Sequence, residues 1–439
     1  MQIKRILTVP IVVSGAEGEP AQALSIGLLL NDGRVAWGDC AGTDPPPAYD
    51  EALATLQHVV APPLEGRTPT GFRELAAEMD ALTETVTVTS TRRPAADEGD
   101  AGEEGEGRQG FSRRALLTAP ARLFQVGGQT AEEKEARTEQ VRVDRRLHPA
   151  IRYGVSQALL GAVALGQGQT MAQVVSEEWG LDPPAAPVPL HTRCSYEAGR
   201  EIEAAIRHRA ASLGTGITDA AAQVGPDGGH LTRHLRRLAE QIAAAGDDAY
   251  RPAIHLDLAG ALGQIADHNP GHMLGHLYAW RMAAGSYPLR VEDPMLLDDR
   301  QAQLEALRTL HDYLRLRKID VQLVAGRGIE GPHDMAAFLP GAGPAKPGAD
   351  LIHLRMPPFG SLHNAVEAVL ACRRAGVGVL LDGGPAGADT QAAVHMALAA
   401  RPDLLVAGPE AGVGAALSLA HNEMARTLAA IAVVSSRGK

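Results

Sequence analysis

Cysteine is scarce in this chain: three residues in 439, Cys40, Cys194 and Cys372, widely separated. That spacing excludes a disulfide framework and a Cys-based zinc centre, and it suits a reducing compartment. Aromatic residues are also few, with three Trp, seven Tyr and five Phe, which leaves no base-stacking platform. Positive charge is in deficit, since 41 Lys and Arg against 52 Asp and Glu give a net charge of −11. Bulk attraction to nucleic acid or to an anionic bilayer is therefore not expected. No stretch reaches the ~20 apolar residues of a membrane span, and a cytoplasmic location is expected. The run Ile6 to Val13 follows Lys4 and Arg5, but Pro10 interrupts it and Glu17 and Glu19 follow, so it reads as an opening strand rather than a leader. A P-loop, His-Glu-x-x-His, Gly-x-Ser-x-Gly and Cys-x-x-Cys are all missing, which removes the nucleotide, zinc-protease and serine-hydrolase classes.

What is present is length and pattern. The chain is long enough for two to three domains of ~150 residues, or for one large barrel with an attached module. Ile3 to Val13, Ala23 to Leu30 and Val35 to Cys40 read as a three-strand meander, with Asn31-Asp32-Gly33 as a hairpin turn. Residues 49 to 86 and 146 to 178 carry helical periodicity. Between them Arg92 to Arg114 is rich in Gly and charge and cannot bury apolar surface, so a disordered insert is expected there.

Beyond residue 185 short apolar bursts alternate with helical stretches: Ala186 to Leu190, Ala253 to Leu258, Leu289 to Glu292, Val321 to Ala325, Leu351 to Leu354, Val377 to Leu381 and Leu404 to Val406. Polar residues stand near their carboxyl ends: Asp257, Glu292, Arg355 and Asp382. Their spacings of 35, 63 and 27 fit one βα unit per ~30 residues, the middle interval spanning two. The fold class expected is therefore α/β, a (β/α) barrel over 185–407. In such a barrel chemistry sits at the C-terminal ends of the strands. Asp257 in His255-Leu-Asp257 and Glu292 in Arg290-Val-Glu292-Asp293-Pro294 would converge there, as hard oxygen ligands for Mg²⁺ do. Capping of the following helices or pairing with local arginines would explain the same two acids structurally.

Several separated motifs then carry a resemblance. Leu147-His-Pro-Ala-Ile-Arg152-Tyr-Gly154-Val-Ser-Gln157, Leu289-Arg-Val-Glu292-Asp-Pro-Met295 continuing to Asp299-Arg300-Gln301, His421-Asn422-Glu423-Met424, Asp32 to Cys40 and His255-Leu-Asp257 resemble methylaspartate ammonia-lyase, a family of the enolase superfamily. The resemblance spans nearly the whole chain. It implies an α+β capping domain over 1–184 ahead of the barrel, with a helical segment over 408–439 packing back on the cap, a homodimer, and loss of ammonia from 3-methylaspartate through an enediolate stabilised by Mg²⁺. It also makes Asp257 and Glu292 the first two metal ligands.

The same resemblance exposes departures. The third ligand position is Gly326, which offers no side chain, and the adjacent Arg327 is expected to pair with Asp257 and Glu292 in place of an ion. Arg355 replaces the family's lysine base; a guanidinium is a poor base but a good bidentate partner for a carboxylate. The opposite base, a histidine in the family, falls near Gly214-Thr215-Gly216. Substrate-binding positions fall on Arg193, His353 and the turn Gly383-Gly384-Pro385-Ala386, where Pro385 removes one donor N–H. The capping segment is short around Ser14 to Gln22. The candidate catalytic groups are Arg355, His353 and Asp382, with Arg193, His353, Gly384, Pro385 and Ala386 as substrate contacts. His148 belongs with the start of a helix, His191 stands near a strand end, and Asp298-Asp299 reads as a helix cap. The expected ligand is a small carboxylate. A lyase or isomerase for another carboxylate, and a non-catalytic binding or scaffold protein, are the rival readings.

Overall fold

The computed structural model describes residues 1–14, 19–92, 137–197, 199–247, 249–339, 347–384, 387–408 and 412–437. Most of the acidic insert, part of the shortened capping segment, and Pro385 and Ala386 lie outside the described residues.

Strands β1 (Ile3–Ser14), β2 (Pro20–Leu30) and β3 (Val35–Cys40) form the antiparallel meander. At the β2–β3 turn Asp32 accepts the Arg34 N–H at 3.0 Å, and Gly33 takes a φ of +88° that other residues rarely adopt. Leu24, Ile26, Leu28 and Leu30 bury one face of β2 by strand alternation. Against β2 and β3 lies the helix Pro149–Gln167. His148 starts it, its Nδ1 accepting the Ala150 N–H at 3.3 Å, and Gly168 ends it at φ +67°.

This helix lies close on β3 because glycine faces glycine. A Cβ on Gly38 would overlap the Gly154 carbonyl and the Ala158 nitrogen, both of them backbone. Gly38→Ala is therefore expected to lower stability by about 1–3 kcal/mol, the scale of core overpacking, as a drop in the urea midpoint. An unchanged midpoint would show that the packing has slack there.

The helical reading of 49 to 86 runs too far. From Thr83 the chain forms β4 (Thr83–Arg92), which pairs with β5 (Arg137–Arg146) in a two-stranded sheet. Thr-Glu-Thr-Val-Thr-Val is β-branched at alternate positions, and such residues favour the strand. The described residues 84–92 and 137–145 make a unit of their own, within which Thr85 Oγ1 donates to Asp144 at 2.7 Å and Arg145 pairs with Glu84 at 3.1 Å.

The barrel follows as β6 (Leu190–Cys194), β7 (Ser212–Gly216), β8 (Ala253–Asp257), β9 (Leu289–Glu292), β10 (Val321–Ala325), β11 (Leu351–Arg355), β12 (Gly378–Asp382) and β13 (Leu404–Val406). Each pairs in parallel with its sequence neighbour, and β13 closes on β6. The strand without an apolar burst is β7, Ser-Leu-Gly-Thr-Gly, which carries one large apolar side chain. β6 begins at Leu190, the last residue of the expected burst; Pro187 and Pro189 earlier in that burst cannot donate to a ladder. Asp257, Glu292, Arg355 and Asp382 each end a strand.

The C-terminal helix Val413–Arg437 packs on Gly199–Arg207, Gly387–Ala400 and β6. Polar side chains tie the cap helix Pro149–Gln167 to the barrel: Gln157 Nε2 donates to Asp389 at 2.6 Å, and Ser156 Oγ accepts the Leu362 N–H at 2.9 Å. Among the described residues no helix is long and apolar enough to cross a membrane.

Candidate active site

At the carboxyl ends of the strands an alternating row of acids and bases crosses the barrel. His255 Nε2 lies 2.8 Å from Glu292 Oε2, and His353 Nδ1 lies 2.7 Å from Glu292 Oε1. On its other side His353 Nε2 is 3.3 Å from Asp382 Oδ2, which also accepts from Arg193 Nη2 at 2.6 Å. Strand alternation produces the row, since His255 and Asp257, like His353 and Arg355, are two apart and share a face. Glu292 and His353 are 3% and 4% exposed, whereas Arg193 is open to solvent.

Charge in this row is mutually fixed. Burial opposes ionisation of His353, but the carboxylates of Glu292 and Asp382 outweigh it and push the imidazole up to about 9. Burial raises Glu292, yet the histidines on either side hold it well below the usual carboxylate range. Asp382, likewise buried, is brought down to about 2 by Arg193 and His353. His353 is therefore an imidazolium at neutral pH, donating to both acids.

A stability change follows from His353. Its folded value lies above its unfolded one, so its contribution is complete below about pH 6.5 and fades as pH rises through about 9. Thermal midpoints measured from pH 6 to 10 are expected to fall over that upper range, and less steeply in His353→Gln. Equal slopes would remove His353 as the cause.

Next to this row lies a second cluster. Arg327 spans Asp257 with Nη1 2.6 Å from Oδ1 and Nη2 3.2 Å from Oδ2, and Nη1 is 3.1 Å from Asp293 Oδ2. Asp293 also accepts the backbone N–H groups of Gly326 and Arg327, both at 2.9 Å. Burial and the neighbouring Glu292 push Asp293 up to about 6 despite these donors. The expected insertion of Arg327 thus occurs, with one correction. It engages Asp257 and Asp293, because both oxygens of Glu292 are already taken by histidines. The absence of a third side-chain ligand at Gly326 stands: a Cβ there would overlap Glu292 Oε1.

Asp257, Glu292 and Asp293 offer oxygens within 4.8 Å of one another, so an acidic cluster of the kind that holds a metal is present. Its donor set does not fit Mg²⁺ as arranged, for the ion needs octahedral oxygens at ~2.1 Å. Asp257 and Asp293 are bridged by a guanidinium, and Glu292 is bonded to two histidines.

Other candidates distribute as follows. Arg355 is part-buried at the end of β11 and, among the described residues, its side chain makes no hydrogen bond or ion pair. Gly384 is described, and a Cβ there would overlap Asp389 Oδ2. His191 is buried early in β6 rather than at a strand end, bonded to Ser212 at 3.0 Å; its ring fills the space that a Cβ on Gly214 would occupy. Desolvation and the adjoining His255 hold it well below the usual imidazole range. Asp299 caps its helix, accepting the Ala302 N–H at 2.7 Å. A surface cavity of about 330 Å³ lined by Leu314, Lys318 and Asp320 lies before β10, at the opposite end of the barrel from these groups.

Two residues given no role from sequence prove central. His255 could have been found from its two-residue offset to Asp257. Asp293 could not, because alternation from the inward Glu292 turns it outward, and only its positive φ of 44° brings it back.

Comparison with known proteins places this geometry. The C-terminal domain of methylaspartate ammonia-lyase matches residues 184–433 and the N-terminal domain matches 17–94 and 114–180. Methylaspartate ammonia-lyase 2 of Carboxydothermus hydrogenoformans is 29% identical over 431 residues, covering 96% of this chain and 88% of the relative. The Clostridium tetanomorphum enzyme is 26% identical, covering 94% and 88%. The structure of beta-methylaspartase from C. tetanomorphum, a magnesium complex, superposes with a TM-score of 0.77 at 23% identity over the whole of both chains. A dipeptide epimerase from Methylococcus capsulatus, complexed with Mg ion, shares the capped barrel at a TM-score of 0.59 and 16% identity, covering 93% and 91%. The chain belongs to the methylaspartate ammonia-lyase family.

Proposed function

We propose that this protein is a methylaspartate ammonia-lyase-like carbon–nitrogen lyase that eliminates ammonia from 3-methylaspartate or a related amino diacid. The observation that carries this reading is family membership along both domains, joined to a charged constellation at the barrel's carboxyl end. Loss of a proton next to a carboxylate builds negative charge on that carboxylate, and fixed cations facing it lower the barrier. Arg355, whose side chain has no ion-pair partner among the described residues, suits bidentate capture of one carboxylate at the strand end. Arg193 offers a second positive group, and Gly384 the backbone of the adjoining turn. His353, already protonated, and Arg327 stabilise developing charge. Neither Arg355 nor His353 is set up as the base, since the first is a permanent cation and the second carries its proton into the neutral range, so of the three candidates the ionised Asp382 is the one able to take the substrate proton.

Magnesium is the family's cation, and Asp257 and Glu292 would be its ligands here; their present partners argue against that use. A small carboxylate is the ligand in this reading, and a cytoplasmic homodimer completes it. The test is release of ammonia from 3-methylaspartate, aspartate and their homologues by the purified chain. Release from at least one is expected. Binding of these acids without release from any would overturn the lyase and leave a carboxylate-binding protein.

A further inference from the structure

We infer that Arg327 is the resident cation of this barrel, taking the place of a divalent ion among Asp257, Glu292 and Asp293 and making the centre independent of metal. The inference names the cation of the proposed lyase site. Its catalytic meaning rests on that reading, whereas its metal-binding content does not.

Four features support it together. The guanidinium forks onto both oxygens of Asp257, at 2.6 and 3.2 Å, using the lone pairs an ion would need. A third contact reaches Asp293 at 3.1 Å, so one planar cation joins the acid that ends β8 to the acid that follows β9. The loop that carries it is fastened from behind, with the N–H groups of Gly326 and Arg327 both donating to Asp293. Those donors fix the backbone so that the side chain turns toward Asp257. Finally, Gly326 and Arg327 are neighbours, so the position that lacks a ligand adjoins the one that supplies the charge. A side chain at 326 would strike Glu292, whose oxygens are committed to His255 and His353.

Arginine suits this role better than lysine, because its rigid fork matches two carboxylates at once and stays charged. It also changes what the site can do. A guanidinium directs hydrogen bonds in its plane and exchanges no water, whereas Mg²⁺ offers open coordination positions to a substrate oxygen.

The test uses Mn²⁺ as probe, read by the electron paramagnetic resonance of the free ion, with Mg²⁺ as competitor. The full-length protein, Arg327→Ala, and Arg327→Ala combined with Asp257→Asn are titrated, with folding checked by circular dichroism. The unaltered protein is expected to bind no Mn²⁺ more tightly than about 1 mM, the weak end of oxygen-ligand sites. Arg327→Ala frees Asp257 and Asp293 and is expected to bind one equivalent at least about tenfold more tightly, a gain that Asp257→Asn removes. One equivalent bound by the unaltered protein and displaced by Mg²⁺ would overturn the inference, as would a folded Arg327→Ala that gains nothing. Should Arg327→Ala not fold, Arg327→Gln takes its place, and the titration of the unaltered protein decides alone. A metal-free but inactive protein would sink the lyase reading and keep this inference; an active protein that needs Mg²⁺ would do the reverse.

Discussion

Glu292→Leu is expected to destabilise the protein by about 3–5 kcal/mol, the scale seen when one partner of a buried ion pair is removed. Glu292 is 3% exposed and accepts from His255 and His353 at 2.8 and 2.7 Å. Leucine has a similar volume, so the loss is electrostatic rather than a cavity. His353 would keep only Asp382, at 3.3 Å, and would either stay charged with half its compensation or lose its proton. A double variant, Glu292→Leu with His353→Leu, is expected to recover part of the stability, because removing both partners leaves no unpaired buried charge. Denaturant unfolding checks this, as a lower midpoint at unchanged slope. A loss below about 1 kcal/mol would mean the row is more hydrated than its burial implies.

Arg355→Gln is expected to act in the opposite manner, leaving stability within about 0.5 kcal/mol and raising KM for the substrate about 10–100-fold. Among the described residues the Arg355 side chain has no hydrogen-bond or ion-pair partner, so the fold loses no polar interaction when the guanidinium goes. A charged hydrogen bond to a ligand is worth about 1.5–3 kcal/mol, which converts to that range of binding. Arg355→Lys keeps the charge without the fork and should fall between the two. An unchanged KM together with a large loss of stability would place Arg355 in the scaffold instead.

How much of this was legible in the sequence depends on how locally each feature is encoded. Apolar bursts announced seven of the eight barrel strands, and their carboxyl ends named Asp257, Glu292, Arg355 and Asp382. β7 escaped because its glycines make room for neighbours: Gly214 admits the ring of His191. The replacement of a ligand by Gly326 and the inward reach of Arg327 were also readable. Which acid Arg327 meets was not, because that depends on the positive φ of Asp293 and on His255 and His353 claiming Glu292. Residues 83–86 read as the end of a helix because the preceding periodicity masks the β-branched alternation that opens β4. The long-range ties of the cap helix, such as Gln157 to Asp389, have no local signal at all.

The most direct measurement of the whole account is the rate of ammonia release from 3-methylaspartate in excess EDTA, divided by the rate with Mg²⁺ restored. An arginine serving as the cation gives a ratio near one. Release that appears only when Mg²⁺ is added would contradict Arg327 as the cation, and no release under either condition would contradict the lyase.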